Sequence, residues 1–337
     1  MYIQVNLKEH SYPVRIEKHA LCHLSDLIDV NRRMAIISDS QVPQQWIDIV
    51  RKQCPHSIVL RFPAGEASKS FRQYENLLKE LIQAHFTRKD AIIALGGGVT
   101  GDLAGFVAAT YMRGIDFYNI PTTLLAQVDS SVGGKVAIDV DAYKNIVGAF
   151  WQPKAVIIDP DVLTTLPDRQ IHNGLAEALK TGLIMDPALI DLFEQEPLPI
   201  EQIILRSIQV KADVVSQDEK EAGLRKILNF GHTIGHALES DYGLNTYLHG
   251  ECVAMGMLFF IEDPVLKQRV LSIYQRLDLP NVPDYDVERI MERMLHDKKN
   301  SGKTISVVKV PKAGTFRIDE MDMDSLRQVL ERGPYEK

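Results

Sequence analysis

The chain has 337 residues, of which 45% are hydrophobic and 25% are charged. At about 100–200 residues per domain this length predicts two domains, and the ordinary apolar content excludes a disordered or low-complexity chain. The formal charge of −7 provides no global basic field, so we expect no nucleic-acid or membrane partner, and an anionic substrate would need a local basic cluster. Because the three cysteines form no CxxC pair and no apolar stretch reaches the roughly 20 residues of a spanning helix, we expect a cytoplasmic protein.

Apolar runs and helical periodicity alternate through the first half of the chain. Residues 1–5 and 12–16 predict an opening hairpin, and residues 71–85 place apolar side chains at helical spacing. Short, fully apolar strands are predicted at residues 34–38, 57–62, 91–95, 117–120 and 155–158. Such strands, separated by helices, indicate a parallel sheet that is covered on both faces.

The pattern changes after Pro160. Helical periodicity dominates from residue 168 to about residue 295, and only residues 304–310 predict a late strand. We therefore predict an α/β plus α protein. It would have an N-terminal Rossmann-like parallel-sheet domain over residues 1–160 and a C-terminal, mainly α-helical domain over residues 161–337.

A glycine-rich turn, residues 96–102 (GGGVTGD), follows a predicted strand and opens a helix predicted over residues 103–111. Glycines let a backbone approach a pyrophosphate, and the helix amino terminus supplies N–H donors and a favourable dipole. The match to GxGxxG is loose, because no acidic residue ends a strand about 20 residues later. Asp39, at the end of an upstream strand, is the better candidate for ribose hydroxyls. The context favours a nucleotide site, and a simple tight turn remains the alternative.

A polar segment, residues 121–146, carries hydroxyls, a carboxylate and two lysines. Lys135 follows two glycines, which suits an anion held by an ammonium and by backbone N–H groups. The segment is no P-loop, because GxxxxGK[ST] is absent. By itself it fits a polar surface loop with a Gly-Gly turn slightly better than it fits an anion site.

Three segments of the helical half contain side chains that could converge on a metal. Glu177 and Lys180 share one face of a predicted helix, His232 and His236 lie at positions i and i+4, and His249 begins another apolar helix. Two histidines and a glutamate suit Zn²⁺ and leave a position open for substrate. HExxH is absent, and a structural or surface role for these histidines is the alternative.

Together these segments resemble the 3-dehydroquinate synthase family of the sugar-phosphate cyclase superfamily. The similar segments run in order through residues 63–71, 96–114, 121–135, 144–153, 174–184, 228–239 and 249–257. One departure is GGKVAID, where the family often has GGKTGIN, so that Asp139 adds an acidic charge near the expected phosphate pocket. The resemblance implies the two-domain fold predicted above, a small sugar-phosphate substrate and a homodimer.

The resemblance also implies cofactors and site residues. The cofactors would be NAD and Zn²⁺ or Co²⁺. The implied metal ligands are Glu177, His232 and His249. The implied cofactor-binding residues are Asp39, Glu66, Lys69, Gly97, Gly98, Asp102, Thr122, Thr123, Lys135, Lys144 and Thr165. The implied catalytic and substrate-binding residues are Arg113, Asp129, Lys135, Asn145, Lys180, Lys211, Arg225, Asn229, His236 (for proton transfer or support of the metal site) and Lys298 or Lys299.

The implied reaction converts 3-deoxy-D-arabino-heptulosonate 7-phosphate to 3-dehydroquinate and phosphate. A transient oxidation by NAD acidifies the adjacent proton, phosphate leaves by elimination, the ketone is reduced back, and an intramolecular aldol step closes the ring. The alternatives are another sugar-phosphate cyclase, a metal-dependent polyol dehydrogenase that makes net NADH, and a nucleotide-binding regulator without catalysis. The intact QVDSSVGGK segment favours the synthase over another cyclase, and the joint presence of the implied ligands and basic residues argues against a regulator.

Overall fold

The computed structural model describes residues 1–141, 143–243, 246–297 and 304–335, with the backbone alone for residues 295–297. The chain divides into two compact units: unit 1 is Met1–Pro167 with Lys211–Lys220, and unit 2 is Asp168–Val210 with Glu221–Lys337. The functional division at residue 160 stays a prediction. Within the described ranges, every helix is too short or too polar to cross a lipid bilayer.

The described residues of unit 1 up to Pro167 form nine strands and three α-helices, which alternate over residues 34–121. In order, these are β1 (Tyr2–Val5), β2 (Tyr12–Ile16), β3 (Met34–Asp39), α1 (Gln44–Gln53), β4 (Ser57–Phe62), α2 (Phe71–Gln83), β5 (Ala91–Gly96), α3 (Gly98–Thr110), β6 (Asp116–Pro121), β7 (Lys135–Val140), β8 (Tyr143–Phe150) and β9 (Ala155–Ile158). Strands β7 and β8 form a separate antiparallel hairpin, and the other seven strands form one sheet.

The seven-stranded sheet has the order β1-β2-β9-β6-β5-β3-β4. Only β1 and β2 pair antiparallel, while every other neighbouring pair of this sheet is parallel. Successive residues of a strand point to opposite faces, so Ile36 and Ile93 enter one buried core while Ile37 and Ile92 enter another. Strands β5 and β9 are buried on both faces and are almost continuously apolar. The predicted Rossmann-like sheet and opening hairpin are confirmed.

Unit 2 is mainly helical, as predicted. In order, its elements are α4 (Asp168–Met185), α5 (Pro187–Leu192), α6 (Ile200–Gln217, whose last residues from 211 belong to unit 1), α7 (His232–Tyr242), α8 (His249–Met257), α9 (Pro264–Arg276), α10 (Val287–Asp297), β10 (Thr304–Lys309), β11 (Arg317–Asp322) and α11 (Met323–Arg332).

Helix α8 packs closely against α4 and α7. A side chain at Gly250 would overlap the carbonyl oxygen of Asn173, and one at Gly256 would overlap that of Gly231. Because glycine has no Cβ, the backbones of the three helices can approach each other at these points.

Three sequence predictions were wrong in detail. Helix α3 begins at Gly98 rather than near residue 103, because the glycines themselves form its first turn. Part of the expected polar loop over residues 121–146 lies in the β7–β8 hairpin, where most β8 side chains are exposed. One late strand was predicted, but β10 pairs with a second strand, β11, which was missed because its sequence RIDEMD lacks an apolar run.

Candidate active site

The glycine-rich turn connects β5 to α3. Gly97 is the N-cap of the helix, and the Gly101 N–H donates to the Gly97 carbonyl at 3.0 Å, so the amides from Gly98 to Thr100 precede the first helical hydrogen bond. A methyl group at Gly97 would lie 3.0 Å from Cγ2 of Thr123. The turn therefore presents bare backbone and a helix amino terminus, an arrangement that fits a dinucleotide pyrophosphate.

Further predicted cofactor residues lie beside this turn. The Thr122 N–H donates to the Gly96 carbonyl at 2.9 Å, and the Thr100 hydroxyl donates to Oδ2 of Asp39 at 3.0 Å. The carboxyl ends of the adjacent strands β3, β5 and β6 thus bring Asp39, the glycines and Thr122 together. This edge is where parallel sheets bind nucleotides.

A buried lysine, Lys69, lies at the centre of a polar cluster in unit 1. Its side chain is 3% exposed, and Nζ donates to Oδ2 of Asp102 at 2.8 Å and to Oδ1 of Asn145, with Oε1 of Glu66 at 3.4 Å. Burial opposes the charge of Lys69, but the carboxylates of Asp102 and Glu66 outweigh it and raise its pKa. This Lys69 cluster, which includes Asp139, joins predicted cofactor residues to the predicted substrate residue Asn145.

Asp139, the departure from the family pattern, closes the hairpin end of the Lys69 cluster. Its Oδ1 accepts the Asn145 N–H at 2.7 Å and lies 4.0 Å from Nζ of Lys69. Asn145 has a φ of +54°, a left-handed conformation that this hydrogen bond supports. The carboxylate therefore faces a backbone amide and a lysine, while Lys144 is exposed on β8.

The Gly-Gly turn orients Lys135. Gly133 and Gly134 have φ values of +111° and +66°, which favour glycine. The Gly133 N–H donates to the Tyr12 hydroxyl at 3.0 Å, and the Trp151 N–H donates to the Gly134 carbonyl at 2.7 Å. Lys135 consequently starts β7 at an exposed position.

The remaining predicted residues of unit 1 have other neighbours. Nζ of Lys211 donates to Oδ1 of Asp129. The Thr165 hydroxyl accepts a hydrogen bond from Nε1 of Trp46 at 2.9 Å. Arg113 has a φ of +69° and lines a surface cavity of about 660 Å³. The other residues that line this cavity are Thr87, Arg88, Lys89 and Met112. Neither Arg113 nor Thr165 contacts the glycine-rich turn through these interactions.

Three histidines and a glutamate come together in unit 2. Oε1 of Glu177, on α4, lies 3.7 Å from Nε2 of His232 and 3.6 Å from Nε2 of His249. The ligand atoms of His232, His236 and His249 all lie within 4.8 Å of one another, and His236 is the exposed member. We refer to these four residues as the histidine–glutamate cluster. The structure thus places the predicted ligands of the metal side by side.

The carboxylate of Glu177 indicates what this cluster can bind. Glu177 is 1% exposed, and neither of its oxygens has a hydrogen bond of normal geometry from the described residues. Nζ of Lys180 does form an ion pair with Oε2, although outside hydrogen-bond geometry. Buried carboxylate oxygens are costly unless satisfied, and an oxygen that converges with two imidazole nitrogens is a typical zinc donor set. The predicted ligands Glu177, His232 and His249 therefore fit a divalent metal.

Both predicted histidine ligands present the same ring nitrogen. Nδ1 of His232 lies 3.1 Å from the Phe230 carbonyl oxygen, and Nδ1 of His249 lies 3.2 Å from Oε2 of Glu239. With the proton on Nδ1, each Nε2 has its lone pair available for a metal. Burial, together with the charge of Lys180, lowers the pKa of His232 well below its ordinary value, which leaves this imidazole neutral as a ligand must be.

The first turn of α8, which carries His249, is held by polar contacts. Glu251 accepts hydrogen bonds from Nε and Nη2 of Arg169, both at 2.7 Å, and from the Leu248 N–H at 2.8 Å. Oδ1 of Asn173 accepts the Gly250 N–H at 2.7 Å. The position of His249 is therefore determined by contacts on either side of it in the sequence.

Three further residues predicted for the substrate belong to unit 2. Lys180 and Arg225 are buried, and Nδ2 of Asn229 donates to Oε1 of Glu221 at 2.7 Å.

The sequence analysis missed Glu221 and Glu239. Glu239 follows His232 by seven residues and so shares its helix face, a spacing that could have revealed it. Lys298 and Lys299 lie outside the described residues.

Two solved structures with a similar fold are synthases. A structure of 2-deoxy-scyllo-inosose synthase complexed with carbaglucose-6-phosphate, NAD⁺ and Co²⁺ superposes with a TM-score of 0.90 at 25% identity, over 99% of this chain and 100% of that one. A 2-epi-5-epi-valiolone synthase from Streptomyces hygroscopicus, with NAD⁺ and Zn²⁺ bound, has a TM-score of 0.87 at 24% identity, over 96% and 97%. The fold and the site define an enzyme of this synthase class.

Family models and curated relatives narrow the class. A model of the 3-dehydroquinate synthase N-terminal region matches residues 59–173, and one of the C-terminal region matches residues 174–300. The 3-dehydroquinate synthases of Thermoanaerobacter pseudethanolicus and Streptococcus thermophilus are 42% and 40% identical to this chain over 98% of its length, and the matches cover 99% and 100% of those proteins. The chain belongs to the 3-dehydroquinate synthase family. It is accordingly a lyase of the shikimate pathway.

Proposed function

We propose that the chain converts 3-deoxy-D-arabino-heptulosonate 7-phosphate to 3-dehydroquinate and phosphate, with NAD and Zn²⁺ or Co²⁺ as cofactors. The observation that carries this proposal is the buried Glu177, whose oxygens have no hydrogen bond of normal geometry from the described part of the chain and whose Oε1 faces Nε2 of His232 and His249. The similar synthases solved with NAD⁺ and Co²⁺ or Zn²⁺ support the choice of cofactors. A regulator without catalysis would not require such a donor set.

Glu177, His232 and His249 would hold the metal, while Lys180 neutralises part of the charge of Glu177. A metal bound there polarises the hydroxyl and carbonyl oxygens of the substrate. His236 lies on α7, as His232 does; its side chain is exposed, and its ring centroid lies 5.1 Å from that of His232. It can exchange protons with water, and we assign it proton transfer rather than ligation.

The glycine-rich turn would bind the dinucleotide. The amides that follow Gly97 donate to the pyrophosphate, and Asp39 accepts hydrogen bonds from ribose hydroxyls. NAD supplies the reversible hydride acceptor. The other residues that we assign to this cofactor are Glu66, Lys69, Gly98, Asp102, Thr122, Thr123, Lys135, Lys144 and Thr165.

Cationic and amide side chains would bind the substrate. Ammonium and guanidinium groups hold its phosphate and carboxylate and neutralise the charge of the leaving phosphate. Asn145 and Asn229 offer amide donors to its hydroxyls, and the Asp129 carboxylate holds the Lys211 ammonium. The cations that we assign to the substrate are Arg113, Lys135, Lys180, Lys211 and Arg225.

The decisive experiment measures phosphate release from the heptulosonate phosphate while absorbance at the NADH band is recorded. We expect phosphate release that requires both NAD and a divalent metal, with no net NADH. Net NADH from a polyol would instead identify a dehydrogenase, and turnover of glucose 6-phosphate would identify another cyclase. Undiminished phosphate release after chelation and dialysis would contradict the assigned metal.

We also propose that the protein is a cytoplasmic homodimer. Its three cysteines are free thiols, which suits a reducing compartment. On β8, Ile146 and Phe150 lie four residues apart on one face of the strand and expose 61% and 42% of their surface, which suits an apolar contact with a second copy. Sedimentation should show a dimer that Ile146→Lys weakens, and a monomeric wild-type protein at micromolar concentration would contradict the homodimer.

A further inference from the structure

Glu239 contacts the side of the His249 ring that points away from Glu177. Its Oε2 lies 3.2 Å from Nδ1 of His249, whereas Nε2 of the same ring lies 3.6 Å from Oε1 of Glu177. The imidazole thus lies between two carboxylates, one at each nitrogen. The Glu239 side chain is 9% exposed, so solvent screens this contact little.

A histidine can ligate a metal only when the nitrogen that faces the ion carries a lone pair. The hydrogen bond at the other nitrogen decides which of the two carries the proton. An ionised carboxylate only accepts hydrogen bonds, so Glu239 keeps the proton of His249 on Nδ1 and leaves Nε2 for the ion. A carboxylate partner also makes the imidazole a stronger ligand.

The two ligating histidines differ in this respect. Nδ1 of His232 lies 3.1 Å from the backbone carbonyl oxygen of Phe230. This carbonyl group carries no net charge, and no side-chain substitution removes it. His249 has a charged side chain there instead. Because Oε2 of Glu239 lies at the ring atom opposite Nε2, Glu239 is placed to orient His249 and not to ligate the same ion.

We propose that Glu239 is a positioning residue that holds His249 in the orientation and tautomer in which it binds the divalent metal. The proposal rests on the proposed function, in which His249 is a ligand. It predicts that Glu239 contributes to metal affinity without contacting the metal.

The test compares zinc affinities of the metal-stripped full-length protein and its variants, measured by competition with a chromophoric chelator. Glu239→Leu, which cannot accept the hydrogen bond, should bind Zn²⁺ about 10–100-fold more weakly and should change the visible absorption of bound Co²⁺. Glu239→Gln keeps an oxygen acceptor without the charge, so its loss should be smaller and its Co²⁺ spectrum close to that of the wild type.

Asp241→Asn is the matched control. Asp241 lies on the same helix, has a side chain that is 1% exposed, and accepts a hydrogen bond from Nε of Arg289 at 3.0 Å. The Asp241→Asn variant should have the zinc affinity of the wild type. An Asp241→Asn loss as large as that of Glu239→Leu would overturn the proposal, because the effect would then come from the helix in general.

Wild-type zinc affinity in a folded Glu239→Leu protein would also overturn the proposal. Thermal unfolding of the metal-free proteins establishes folding; if the Leu variant does not fold, Glu239→Gln decides, and wild-type affinity there overturns the proposal. His249→Ala distinguishes a failure of the proposed ligand set from a failure of the proposed role of Glu239. If it retains the metal, the proposed ligand set fails; if it loses the metal while the Glu239 variants do not, only the role of Glu239 fails.

Discussion

The Lys69 cluster of unit 1 and the histidine–glutamate cluster of unit 2 each surround one buried charged side chain, Lys69 or Glu177, but they differ in how that charge is satisfied. The ammonium of Lys69 donates to Asp102 and Asn145 and has Glu66 within 3.4 Å. Glu177, by contrast, has two buried oxygens without a normal hydrogen bond from the described residues. The first cluster is paired within the chain, whereas the second has bonding capacity left for an ion.

This difference separates two tasks that buried polar groups perform. A cluster whose charges are paired holds its side chains in place before any ligand arrives, although replacing one member leaves the others unpaired. A cluster with unsatisfied donors and acceptors gains its stabilisation from the ligand. Substitutions in unit 1 should therefore change stability most, while those in unit 2 should change metal affinity most.

The largest effect is expected for His249→Ala. Removing a ligand should weaken zinc binding by more than about 100-fold, beyond the range of residues that only support ligands, and should abolish metal-dependent turnover. NAD affinity, measured by calorimetry, should stay within about twofold, because the glycine-rich turn is unchanged. Normal turnover of this variant after chelation would show that His249 is not a ligand.

Lys69→Met should have the largest effect on stability. It removes the cation from Glu66 and Asp102, whose side chains are 29% and 24% exposed, and should lower the free energy of unfolding by about 1.5–3 kcal/mol, the range for hydrogen bonds to charged groups. Lys79→Met is the control, since Lys79 is 59% exposed and pairs with Glu75 at i,i+4, a contact worth about 0.3–0.5 kcal/mol. Urea denaturation measures both, and equal losses would remove the distinction between the two clusters.

Gly97→Ala should act mainly on the dinucleotide. Its methyl group would lie 3.0 Å from Cγ2 of Thr123, a contact that costs about 1–3 kcal/mol of stability. The same methyl group would cover backbone that the pyrophosphate approaches, so NAD affinity should be roughly 10-fold lower or more. Zinc affinity of the same variant is the internal control and should not change, because the ligands Glu177, His232 and His249 are untouched. NAD affinity equal to that of the wild type would argue against a pyrophosphate at this turn.

Asp139→Asn should have the smallest effect. The amide oxygen of asparagine can still accept the Asn145 N–H, and Lys69 keeps Asp102 and Glu66, so kcat/KM should change by less than about threefold. Asp139→Ala removes the acceptor and should cost about 1 kcal/mol of stability. Should the Asn variant lose as much as the Ala variant, the charge of Asp139 rather than its hydrogen bond would be the important feature.

The predictability of the fold followed the burial of its elements. Strand β9 has the predicted bounds and β3 and β5 are one residue longer than predicted, because continuous apolar runs between polar residues mark strands that are buried on both faces. Strands β8 and β11 expose most of their side chains, so backbone pairing rather than an apolar pattern defines them. Helix α1 was also missed, since only Ile47 and Val50 of it are fully buried.

The residues of the candidate site also divide into those that the sequence predicted and those that only the structure revealed. Residue chemistry and spacing pointed to the glycine-rich turn and to a histidine pair, and the resemblance to the family supplied the particular ligands and substrate residues. Spacing alone did not distinguish His236 from His249 as a ligand, because the chain between α7 and α8 can place either imidazole near Glu177. Asp139, Glu221 and Glu239 acquired a role only through contacts with residues already under consideration.

By itself, the sequence determined the class of fold, the family and the types of side chain available for chemistry, because local apolar patterns and long ordered motifs are properties of the chain. Only the tertiary structure decided which groups meet: Lys69 lies among its carboxylates, Glu177 has no normal hydrogen bond from the residues that the structure describes, and Oε2 of Glu239 lies 3.2 Å from Nδ1 of His249. The physical reason is that hydrogen bonds and desolvation depend on distances of a few ångströms between residues far apart in sequence, and no local pattern specifies those distances.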